Sequence, residues 1–185
     1  MATFSSDGSH WAKNLRLLMN LYPAPLSGLP YLKMSNTTIS PENDTARAEL
    51  AAFKNRLGLE SYSYSVGSNW TIASSLCHLA FWDRRALFLL ENWQRSGRVE
   101  TSRLDSESVD SINQSLNLIA IQVPGPAAMS LALESATAVD AFVDEIKDEL
   151  AEKIKKGGFE CFLRRSLHRR EHLQKMHAVL DDKLS

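Results

Sequence analysis

Apolar residues in this chain recur at intervals of three and four, and no stretch alternates apolar with polar in the two-residue period of a strand. The clearest opening is "SPENDTARAELAAFKNRLGL". Ser40 suits an N-cap, Pro41 the first helical position, and Glu42 and Asp44 complement the helix dipole. Ala46, Leu50, Phe53 and Leu57 then share one face, and Gly58 suits the stop. After a Ser/Gly/Tyr loop, "ESYSYSVGSN", a second helix is expected from Thr71 to just before Gly97; it is apolar around much of its circumference, which suits a central position. Val109, Ile112, Leu116, Ile119 and Val123 form the stripe of a third helix. "PGP" (Pro124 to Pro126) interrupts it and "AAMSLALESATAVDAFVDEIKDELAEKIKK" resumes it, up to Gly157 and Gly158. A last helix is expected from Phe159 to Leu184, with Phe162, Leu173, Met176 and Leu180 facing inward. The pattern predicts an all-α chain, most simply an antiparallel up-and-down four-helix bundle over residues 41–185 with its third helix broken at the prolines.

Residues 1–40 differ. Pro23, Pro25, Pro30, two glycines and no sustained periodicity mark them as an N-terminal arm or extension, with a short helix expected from His10 to Leu21.

Composition narrows the classes of function. The chain has 185 residues, 44% of them hydrophobic and 23% charged, which is material for one domain with a full core. A net charge of −1 gives no pull toward nucleic acid or an acidic membrane surface, so neither is expected as a partner. No apolar run approaches the roughly 18 residues of a membrane span. Cys77 and Cys161 are too few for a disulfide framework. Cytoplasm is therefore the expected compartment, and the N-x-T matches at Asn36 and Asn69 carry no meaning there. Both cysteines are expected as small core residues.

Three of the five histidines fall in "LHRREHLQKMH". His168 and His172 are four apart, on one helix face, where two rings can converge on one ion. Some pair among five histidines falls at that spacing by chance roughly one time in ten. They project to the flank of the apolar stripe, where a ligand pair lining a crevice or two half-exposed structural histidines would both sit. The cations around them (Arg164, Arg165, Arg169, Arg170, Lys175) scatter around the helical wheel and make no single nucleic-acid face. His78 lies mid-helix in "SSLCHLAFW", an apolar setting in which a histidine needs a partner. A satisfied core histidine is one reading. The other is a third ligand, since bundles build metal sites from side chains on facing helices. Three imidazoles with one open position are the ligand count of a catalytic centre.

"NWTIASSLCHLAFWDRR", "VDSINQSL" and "HRREH" together resemble the DinB-like (YfiT-like) metalloenzyme superfamily, nearest to the branch with the N-terminal domain of mycothiol-dependent maleylpyruvate isomerase. Trp70, Thr71, His78, Leu79, Trp82 and Asp83 match that family's second-helix motif, Asp110 and Asn113 its D-x-x-N feature, and His168 and His172 its final HxxxH. The order agrees over roughly residues 42–184. The resemblance implies a four-helix bundle, commonly a homodimer, with His78, His168 and His172 holding a divalent metal such as zinc or nickel. It further implies thiol-dependent S-transfer or isomerisation of an electrophilic small molecule, with a low-molecular-weight thiol as cosubstrate, or hydrolysis. Trp82 and Phe81 are expected as pocket walls or as ordinary core aromatics. Asp83 is expected either to orient a ligand histidine or to pair with Arg84 or Arg85 at the surface. Asn113 is expected to cap or bridge helices near the site. His10 and His177 lie outside the motif. The competing class is a non-catalytic helical module that binds an apolar ligand or a protein.

Overall fold

The computed structural model describes residues 36–100 and 103–185; the arm and its expected helix from His10 to Leu21 lie outside the described residues. Within them are six α-helices and one two-stranded sheet.

Helix α1, Asn36–Lys54, starts earlier than its sequence signals suggest. Ser40 is not its N-cap, Pro41 lies inside it, and the expected boundary between residues 40 and 41 falls within the helix. Ile39 is the reason: it is buried in an apolar cluster, and sealing it outweighs the hydrogen bond that Pro41 cannot donate.

The Ser/Gly/Tyr loop is more ordered than its composition suggests. It holds a 3-10 turn, Glu60–Ser63, and a hairpin of β1, Ser65–Gly67, with β2, Trp70–Thr71. Period-two patterning could not reveal strands this short. The hairpin turns on Ser68 and Asn69, both at positive φ (46° and 67°), the backbone sense that a two-residue hairpin loop requires.

Helix α2, Ile72–Ser96, has the ends expected of it. The Thr71 hydroxyl accepts from the Ser74 N–H, the Ser74 hydroxyl accepts from the Thr71 N–H, and Gly97 closes the helix at φ 67°.

The third expected helix is two elements with separate roles, α3, Ser106–Ala120, and α4, Gly125–Glu145. Gly125 begins α4 because a Cβ there would lie 2.1 Å from the Tyr62 ring. The expected α3 stripe holds only in part: Val109 is buried, but Ile119 is 68% exposed and Ala120 takes the inward position. The resumed segment breaks again at Ile146 and Lys147, ahead of α5, Asp148–Lys156. The last helix, α6, spans Ser166–Leu184; the stretch expected to be its first turns is instead a 3-10 turn, Glu160–Phe162.

Helices α1, α2, α4 and α6 pack in a closed ring: α1 on α4 and α6, and α2 on α4 and α6. Helix α3 lies outside, against α2. Two apolar clusters fill the ring. One holds Leu50, Phe53, Leu76, Leu79, Met129 and Met176; the other holds Ile39, Leu90, Trp93, Val143, Ile154 and Leu163. The chain meets them in opposite orders along α1 and α2, in the same order along α2 and α4, and reaches α6 from Leu163 in the order of α1. Helices α2 and α4 thus run the same way, against α1 and α6. This corrects the strict up-and-down alternation expected from the sequence. Helix α3 is not half of a broken core helix. It carries the chain back along α2, so that α4 can repeat its direction. No helix among the described residues is long and apolar enough to cross a membrane.

Candidate metal centre

Between the two apolar clusters lies a layer of buried polar side chains. His78 on α2 meets His168 and His172 on α6 there. One potential ligand atom from each lies within 4.8 Å of the others. The His78 and His168 Nε2 atoms are 3.2 Å apart, close to the roughly 3.3 Å edge of a tetrahedron with 2.0–2.1 Å metal–nitrogen bonds. Ring centroids are 4.6 Å apart for His78–His172 and 4.8 Å for His168–His172.

Burial decides the protonation of this cluster. His78 and His172 are buried and His168 half-buried. Loss of hydration disfavours the imidazolium form at all three, and the charges of Arg165 and Lys175 add to it at His78, which is pushed down to about 3. At neutral pH the three rings are uncharged, so each has a lone pair to offer. The His78 Nδ1 is buried and has no hydrogen-bond partner. Three neutral nitrogen donors at this spacing lie close enough together to hold a metal ion.

The surrounding aromatics divide. Trp82 lies 6.1 Å from His78, centroid to centroid, while Phe81 packs edge-on against Trp82 and forms a second layer. Trp70, missed as a site residue, stands edge-on to His78 at 5.3 Å, held there by the β-hairpin. Asn113 does bridge helices: its Oδ1 accepts from Trp82 Nε1 at 3.1 Å, tying α3 to α2. Asn117 Nδ2 donates to the Asn69 carbonyl and ties α3 to the hairpin as well.

Asp83 has neither of its expected partners. It touches no histidine, and no surface pair with Arg84 or Arg85 forms; Arg84 donates instead to Ser135, and Arg85 lies over the Trp82 ring. Asp83 is 1% exposed and accepts from Arg165 Nε at 2.8 Å and Arg169 Nε at 2.9 Å. Arg169 also grips Asp140 of α4 with both terminal nitrogens, at 2.8 and 2.9 Å. Burial works against the Arg169 charge, but Asp83 and Asp140 more than offset it, and its pKa rises. Arg165 reaches back to the triad, with Nη2 3.0 Å from His168 Nδ1. Asn43 completes the layer: its Oδ1 accepts from the Ser166 N–H and its Nδ2 donates to the Leu163 carbonyl, which caps α6 just before His168.

The scattered cations of the sequence are therefore not one wet face. Arg169 falls in register with Leu173, Met176 and Leu180, the inward positions of α6, and that register was a legible signal. Asp140, in "TAVDAFV", interrupts an apolar run as Asp83 does. Cys77 is a core residue, as expected, but Cys161 is exposed. His177 lies outside the triad: its Nδ1 is 2.6 Å from Arg56 Nη1, and its ring packs edge-on against Phe53. His10 falls outside the described residues. No protein-family model matches this chain, and comparison with curated proteins and with solved structures gives no match either.

Proposed function

We propose that this chain is a divalent-metal-dependent enzyme of the DinB-like kind, a thiol-dependent S-transferase or isomerase that acts on an electrophilic small molecule. The observation that carries the reading is the convergence of three uncharged imidazoles from two helices on one point. A divalent ion held by His78, His168 and His172 would supply Lewis acidity and lower the pKa of a thiol that reaches it. Around it, Trp70 and Trp82 supply apolar walls that limit water, and the Asp83–Arg169–Asp140 pairs fix α6 against α2 and α4. The choice of thiol transfer over hydrolysis rests on the family resemblance. A four-helix bundle that dimerises in the cytoplasm is part of the same reading.

The test is metal content in untagged protein purified without added ions. About one zinc or nickel per chain is expected, lost as fully in His78→Ala as in His168→Ala and retained in His177→Ala. Full occupancy in His78→Ala would end the triad reading. With cobalt in the site, an added low-molecular-weight thiol should give a sulfur-to-metal charge-transfer band that His172→Ala lacks. A protein that binds the metal but gives no such band with any thiol favours hydrolysis. A protein that binds no metal favours a non-catalytic module.

A further inference from the structure

A guanidinium has only donors, so the 3.0 Å contact between Arg165 Nη2 and His168 Nδ1 admits one assignment: Nδ1 is the acceptor. A neutral His168 must then carry its hydrogen on Nε2. That hydrogen points at His78 Nε2, 3.2 Å away, which accepts it. His78 in turn carries its own hydrogen on Nδ1, the atom with no partner. One chain of donors thus runs from Arg165 through His168 to His78, along the side of the triad where ligand lone pairs are needed. Metal-binding histidines ordinarily show the reverse pattern, donating their far N–H to a carboxylate or carbonyl. Here the carboxylate, Asp83, lies one residue further away, behind Arg165.

We propose that Arg165 is a positioning residue that holds His168 in its Nε2–H tautomer, so that a divalent ion gains His168 only when Arg165 gives up its contact with Nδ1. The proton then moves from Nε2 to Nδ1 by exchange with solvent, with no net gain or loss. Arg165 is tethered without that contact, by Nε to Asp83 and by Nη1 to the Cys161 carbonyl, so releasing it need not unfold the turn. Metal occupancy and the Arg165–His168 contact are alternatives, and the buried ion-pair network becomes the element that sets metal affinity. This rests on the metal-site reading above, but the tautomer is a property of the metal-free protein and can be read without any ion.

Two-bond proton–nitrogen NMR on the metal-free protein, with His168 assigned by its loss in His168→Gln, should show the Nε2–H form. In Arg165→Gln, whose side-chain carbonyl can accept a hydrogen bond, His168 should move to the Nδ1–H form. Wild-type protein with Nδ1–H at His168 would overturn the proposal whether or not the Arg165 variants fold. Zinc affinity, measured by competition with a chelator, should rise about ten-fold or more in Arg165→Gln and in Arg165→Lys. The lysine keeps the charge but not the fork, which separates the contact from simple repulsion. Lys175→Gln removes a neighbouring cation without touching Nδ1 and should change affinity by less than about three-fold. Equal gains in Lys175→Gln and Arg165→Gln, or no gain in Arg165→Lys, would overturn the coupling. If no form binds zinc, nickel or cobalt, the metal reading and the coupling fall together, and the tautomer alone still decides what Arg165 does to His168.

Discussion

Arg169 Nε donates to Asp83 Oδ2 at 2.9 Å, and neither side chain is more than 1% exposed. The pair spans α6 and α2, and through Asp140 the same guanidinium holds α4. Removing one partner from such a network leaves buried charge uncompensated, which costs about 3–5 kcal/mol. Arg169→Met should lose part of that in urea denaturation, because Asp83 and Asp140 then face the same space, although Asp83 keeps Arg165 and Asp140 keeps Arg47 of α1, whose Nη1 lies 3.3 Å from its Oδ2. Adding Asp140→Asn should return part of the loss, since Asp83 keeps Arg165. If the two losses simply add, Arg169 and Asp140 are not coupled.

Stability should fall with acid below about pH 6.5, the histidine value in an unfolded chain. Burial lowers the pKa of all three triad histidines, that of His78 to about 3, so in the window below about 6.5 the unfolded chain takes up protons that the folded one refuses. The stabilisation is complete above that window and is lost on descending through it, by up to about 1.4 kcal/mol per pH unit for each histidine. Burial also raises the pKa of Asp140, which acts in the opposite sense, but every variant shares it. In the presence of a chelator, His172→Leu should show a shallower slope than wild type. Parallel curves would mean that His172 is not held neutral by the fold.

Trp82 depends on Asn113 for its only polar tie across to α3. A double-mutant cycle of Asn113→Ala with Trp82→Phe should give a coupling of about 1 kcal/mol. Strict additivity would show that the bond contributes nothing to holding α3 on α2.

Two isoleucines separate local pattern from packing. Ile39→Ala should cost about 2–5 kcal/mol, because the side chain is 1% exposed in the second apolar cluster. Ile119→Ala should stay within about 0.5 kcal/mol, because Ile119 is 68% exposed. Reversed costs in thermal or urea unfolding would undo the placement of both helices.

Much of the fold was legible because its signals are local. Thr71 and Gly97 bound α2 by caps that act within one turn, and Leu173, Met176 and Leu180 name the inward face of α6 by spacing alone. The His168–His172 pair follows from the same geometry, as four residues make just over one turn. Periodicity names a face, however, and not the neighbour that meets it. Whether His78 meets that pair depends on α2 and α6 lying side by side across about ninety residues of chain. The burial of Arg169 depends on carboxylates that two other helices bring to it, from Asp83 and Asp140. The direction of α4 depends on α3 returning along α2, and a Pro-Gly-Pro break alone cannot tell a kinked helix from a reversed path. Sequence by itself determined which residues could be ligands, caps and core. Tertiary structure decided which charges face one another, because a buried ion is tolerated only where a partner from a distant segment arrives to pair with it.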